Sequence, residues 1–193
     1  KNRKYESAKK YFLKLKKTKS SFVLNNFLSS SLLNWSSLGE LNFENAESVI
    51  NKMEPKFDNL INIQKVFLNC FYQNKKTDYG FVNLTSNKNT DFSRYNYFHS
   101  KYLLKVGNVK KANEIIESSL KLNPRNLLMS QFKHNLDENN VQNNFNCQDQ
   151  SHVIAEIFYL TANALSSQSI YTYSNYYLNL AKYLNEDFYS FNT

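Results

Sequence analysis

Residues 93–126 read SRYNYFHSKYLLKVGNVKKANEIIESSLKLNPRN. Two apolar-periodic segments flank the pair Gly107-Asn108, and their spacing predicts helices over 93–106 and 109–122. Asn123-Pro124 ends the second, because proline cannot continue a helix and disfavours helical backbone at the residue before it. Gly107 stands where a helix end takes a left-handed residue. Two helices joined by so short a turn must run antiparallel.

These residues resemble a tetratricopeptide repeat, the helix–turn–helix unit in which small residues let two helices approach and large neighbours fill the grooves beside them. Ala112, Ile116, Ser119 and Pro124 fall at the positions the family uses in its second helix and at its end, and Ser100 falls at the small position of the first. Asn96 and His99 stand where the family has tryptophan and leucine. Residues 155–188 give a second match through Phe158, Ala162, Leu165, Ser174, Leu178 and Ala181, with Glu186 in place of the closing proline. This stretch is similar to repeats of large bacterial tetratricopeptide proteins, which occur in cytoplasm and periplasm alike.

With that register, weaker copies appear upstream. Ala8, Ala46, Gly80 and Ala112 each stand where a second helix opens, at intervals of 38, 34 and 32 residues. The resemblance therefore implies an all-α fold, a right-handed α-solenoid of antiparallel helix pairs spanning 1–193. An orphan second helix occupies 4–17, and repeats follow at about 21–54, 56–87 and 93–124. An irregular unit covers 127–153, and a last repeat covers 155–186. Within the irregular unit, 127–136 is expected to be a short helix. The asparagine- and glutamine-rich stretch after it has no periodicity and reads as a loop.

Composition agrees with helices. Three glycines and two prolines in 193 residues are too few for the tight turns of a sandwich or barrel. Apolar residues at 41% and aromatics at 16% are too many for a disordered chain. No apolar run approaches the roughly 18–20 residues of a membrane-spanning helix, so the chain is expected not to be transmembrane. The formal net charge of +8 is local: residues 1–19 hold nine Lys/Arg against Glu6, and the remainder is neutral. The basic segment carries an apolar stripe, Tyr5, Ala8, Phe12 and Leu15, at helical spacing. A stripe with no preceding helix to cover it suggests further repeats, or other chains, over the terminal helices.

No catalytic constellation emerges, and the chain is read as a non-enzyme with no cofactor and no metal. His99, His134 and His152 form no pair at ligand spacing, and His99 reads as a satisfied core histidine. Cys70, in FLNCF, reads as buried and inert, and Cys147 as exposed in the loop; two cysteines make no disulfide framework. The carboxylates Glu44, Glu47 and Glu54 read as surface helix charges.

Function is then expected to be that of a protein–protein interaction scaffold, holding a peptide or protein partner in a concave groove and acting on no small-molecule substrate. By resemblance the groove positions are Asn62, Lys65, Asn69 and Tyr72; Arg94, Tyr97, Lys101 and Lys105; and Glu156, Tyr159 and Asn163. Amides would bond a partner's backbone, lysines its acids, and tyrosine rings its apolar side chains. Lys65 and Asn69 match two positions of the family's carboxylate clamp, but Phe98 stands where the next would be asparagine. The alternative reading is a helical-repeat nucleic-acid binder using the basic helix at 1–19; the neutral remainder argues against nucleic acid.

Overall fold

The computed structural model describes residues 5–17, 24–86, 92–140 and 144–188. Among these residues there is no strand. Ten α-helices follow one another: α1 (Tyr5–Lys17), α2 (Leu24–Ser36), α3 (Phe43–Asn51), α4 (Asp58–Phe71), α5 (Thr77–Thr85), α6 (Arg94–Lys105), α7 (Val109–Leu122), α8 (Leu127–Asp137), α9 (Gln150–Ser166) and α10 (Tyr171–Leu184). A single 3-10 turn, Pro55–Phe57, leads into α4. Of the basic segment, Lys1, Arg3, Lys4 and Lys19 lie outside the described residues, as do the first three positions of the repeat expected from about 21 and the end of the one expected over 56–87.

Polar side chains start and stop these helices. The side-chain oxygens of Asn42, Asn108, Asn126 and Asp149 accept from backbone N–H groups in the first turns of α3, α7, α8 and α9, satisfying donors that a helix start leaves without partners. At the other end, α6 closes with Asn108 N–H on the Leu103 carbonyl (2.8 Å) and Gly107 N–H on that of Leu104 (3.1 Å), Gly107 having φ of 82°. This is the six-to-one closure that a left-handed residue permits. The same closure ends α4, α8 and α9, where Gln73, Asn139 and Ser169 occupy the left-handed position at φ of 53°, 54° and 61°. A chain poor in glycine thus turns its helices with other residues.

Consecutive helices pack in pairs: α1 on α2, α4 on α5, α6 on α7, α9 on α10. Small residues lie at the joints. Ala46, Ala112, Ala181 and Ser100 are fully buried, and a Cβ on Gly80 would come within 3.2 Å of the Val66 side chain, so α5 and α4 meet where α5 lacks a side chain. Between α2 and α4, the indole N–H of buried Trp35 donates to Gln64 Oε1 (3.0 Å), whose amide donates to Ser31 Oγ (3.0 Å). The core is contiguous and aromatic at its centre, where Phe67, Phe98, Phe145 and Phe188 pack together.

The C-terminal part folds back on the middle and the beginning. Helix α9 touches α2. Tyr5 and Phe12 of the α1 stripe pack against the core and, with Ala8, line a cavity shared with α9 and α10. Two expectations need correction here. Cys70 and Cys147 are not an inert thiol and an exposed one: they form a disulfide across 77 positions, with Cα atoms 5.9 Å apart, and Cys147 is 8% exposed. The pairing arises because residues 144–149, which have no helical periodicity, run along α4 and α6 and bring Cys147 beside Cys70. His152, expected in a loop, lies in the first turn of α9.

Candidate functional site

Helical spacing puts Arg94, Tyr97, Lys101 and Lys105 on one face of α6, and segment 144–149 lies across that face. The Tyr97 hydroxyl donates to Asn144 Oδ1 at 2.6 Å, and Lys101 Nζ donates to the same oxygen at 2.8 Å. Lys105 Nζ donates to Asn146 Oδ1 at 3.3 Å and also to Gln148 Oε1. The backbone carbonyl of Asn144 accepts from the amide of Asn185 (2.9 Å), and Asn146 N–H donates to His152 Nδ1 (3.0 Å). The Phe145 ring enters the aromatic centre, 4.4 Å from Phe98, 5.5 Å from Phe67 and 5.9 Å from Phe188 between centroids. A non-helical segment, turning at Cys147 and Gln148 where Asp149 N–H donates to the Asn146 carbonyl (3.0 Å), is thus held by amides, ammonium groups and a ring socket, with the disulfide in its turn.

Of the groove positions named from the sequence, six gather around this segment or next to it. Tyr97 is 2% exposed and Glu156 is fully buried, so both point into the protein and not to solvent. Glu156 meets Arg94 in a two-pronged pair, Nε to Oε1 and Nη2 to Oε2, both 2.8 Å, while the guanidinium stacks 4.1 Å from the centre of the Tyr159 ring. Burial works against the Arg94 charge; the Glu156 carboxylate overcomes it and raises the guanidinium's affinity for its proton. Burial also raises Tyr97 above the usual phenol value and pushes the Lys101 ammonium down to about 8.

Asn62, Lys65 and Asn69 come together elsewhere, in a cleft of about 390 Å³ between α4 and α5 that Asn83 and Ser86 also line. Asn69 donates to the Lys65 carbonyl (2.8 Å), and its own side-chain oxygen is buried there without a partner. Tyr72 turns away from this cleft and donates to the Leu41 carbonyl at 2.6 Å, bracing the α2–α3 turn. Asn163 is exposed on α9, apart from both groups.

Two features had no place in the sequence reading. One is segment 144–149 itself, whose only signal was the absence of periodicity. The other is a charged joint: His99 Nε2 lies 2.7 Å from Asp78 Oδ1, Lys111 Nζ donates to both Asp78 oxygens, and the imidazole stacks on Phe81. Among the described residues no three His, Cys, Asp or Glu stand together as metal ligands, and no helix is long and apolar enough to cross a membrane. Comparison with protein-family models, with curated proteins and with solved structures finds no match to this chain.

Proposed function

We propose that this chain is a non-enzymatic protein-binding module, a tetratricopeptide-like right-handed solenoid of antiparallel helix pairs, that holds an extended peptide segment of a partner on the faces of α4 and α6. The pairing of successive helices over buried small residues supports the architecture. One observation carries the functional reading: the chain's own residues 144–146, ahead of the turn at Cys147, already lie on α6 in the manner such a ligand would. Asn144 is read by Tyr97 and Lys101, and Phe145 fills a socket of rings. Asn62, Asn69 and Asn83 extend the recognition surface on α4 and α5 with amide donors and acceptors suited to peptide backbone, and Lys65 adds an ammonium donor.

The test is competition in trans. A fluorescent peptide with the sequence of residues 142–150, its cysteine replaced by serine, is titrated into the full chain and into Phe145→Ala, which empties the socket. Binding to F145A at least about tenfold tighter than to wild type is expected, and Tyr97→Ala in the F145A background abolishes it. No binding to F145A, or binding that Y97A leaves unchanged, contradicts the reading. The exposed lysines of α1, Lys10, Lys14, Lys16 and Lys17, support the second reading, nucleic-acid binding; RNA retention that weakens steeply with salt would favour it.

A further inference from the structure

Beside the seated segment, between α4, α5 and α6, is a cavity of about 350 Å³. Its size falls within the range of small-molecule sites. Five aromatic rings, those of Phe67, Phe81, Phe98, Tyr102 and Phe145, line it. Phe67 meets both Phe81 and Phe98 edge-on, at 82° and 85° between ring planes, and Phe98 meets Phe145 at 60°. Such an arrangement offers both faces and edges, the two surfaces against which a flat aromatic guest packs favourably. The Cys70–Cys147 disulfide completes the wall and holds the 144–147 side of it to α4.

Two lysines, Lys101 and Lys105, line the same cavity one helical turn apart, and no carboxylate lines it. Their acceptors from segment 144–149 are the amide oxygens of Asn144, Asn146 and Gln148, neutral groups that orient the ammonium groups. An aromatic enclosure alone would suit any apolar guest. Two lysines in its wall favour an anionic one, and an ammonium desolvated as that of Lys101 is gains more from an anion than an exposed one does. A carboxylate matches this arrangement, with its two oxygens available to two donors.

We infer that this cavity is a binding site for a small aromatic monocarboxylate, its ring among Phe67, Phe98 and Phe145 and its carboxylate between Lys101 and Lys105. The site adjoins the peptide-binding face proposed above and shares Phe98, Lys101 and Lys105 with it, but its guest enters beside the seated segment without displacing it, so its test does not depend on that reading. Isothermal titration of the full-length, disulfide-bonded protein uses 2-naphthoate as the probe, 2-naphthamide as the neutral analogue of the same shape, and Gly-Gly-Phe with a free C-terminus. The expected result is one-to-one binding of 2-naphthoate, at least about tenfold tighter than the amide and about tenfold tighter than the tripeptide. Lys105→Gln, at an exposed position that leaves the core untouched, weakens naphthoate by about three- to tenfold and leaves naphthamide unchanged. Lys101→Gln gives a larger loss of the same selectivity. No binding of 2-naphthoate at millimolar concentration overturns the proposal. So do acid and amide binding alike, or a Lys105→Gln variant that binds naphthoate as well as wild type. Tripeptide binding equal to or tighter than naphthoate would move the site from free acids to chain ends and overturn it in this form.

Discussion

Arg94 is held among three rings, those of Tyr159, Phe188 and Phe98, and a carboxylate that water does not reach. Its guanidinium stacks on Tyr159, lies over Phe98 and pairs at two points with Glu156. Breaking such a pair from one side leaves a buried charge without its counter-charge, so Glu156→Gln is expected to cost about 3–5 kcal/mol. Replacing both residues, as Arg94→Met with Glu156→Met, costs less than E156Q alone; urea unfolding of the two variants gives the order. The Asp78–His99–Lys111 joint makes a second prediction, about pH. Burial pushes His99 below its usual value, with Asp78 opposing, so the fold keeps the imidazole neutral. Below about pH 6.5 the unfolded chain takes up a proton that the fold refuses, and stability falls. Burial acts to raise Asp78, but the hydrogen bonds from Lys111 and His99 outweigh it and hold the carboxyl low. Its contribution is present above the usual carboxylate range and is lost as pH falls through its depressed value. Stability measured from pH 7 to 3 should therefore decline in two stages, and His99→Gln should remove the upper one. An unchanged upper stage would show that His99 does not titrate as described.

At the scale of elements, most of the helices were legible because each carries its own apolar period. The reading from 93–126 gives helices over 93–106 and 109–122, and the structure has α6 and α7 at Arg94–Lys105 and Val109–Leu122. Gly107 announces its turn because glycine alone adopts positive φ without strain. Asn139 is of a type that takes this conformation readily, but Gln73 and Ser169 give no such sign, and six-to-one hydrogen bonds hold them in it. Relief of that strain is measurable: Ser169→Gly or Gln73→Gly should raise stability by about 0.5–1 kcal/mol, seen as a higher Tm. The buried alanines give the opposite result. Ala112→Leu or Ala181→Leu should push paired helices apart at a cost of about 1–3 kcal/mol; melting indistinguishable from wild type would show that these positions are not the joints.

Across the whole molecule, a local pattern can specify a helix pair but not which distant segment returns to cover it. The register singled out Tyr97, Lys101 and Lys105 as recognition positions, and all three make hydrogen bonds to segment 144–149. Nothing in 144–149 itself announced that it would be their partner, because an aperiodic run rich in asparagine fits any surface loop. The disulfide was illegible for the same reason: Cys70 and Cys147 meet only once the C-terminal part has folded back. Closing so long a stretch of chain constrains the unfolded state, and reduction should cost about 4–5 kcal/mol on the chain-entropy account, read as a lower Tm in dithiothreitol. The seating of 144–149 on α4 and α6 is tested most directly by refolding the reduced protein in a glutathione redox buffer and mapping its disulfides by mass spectrometry. Near-complete intramolecular linkage of Cys70 to Cys147 is the predicted result. Thiols left free, or joined between separate chains, would contradict it.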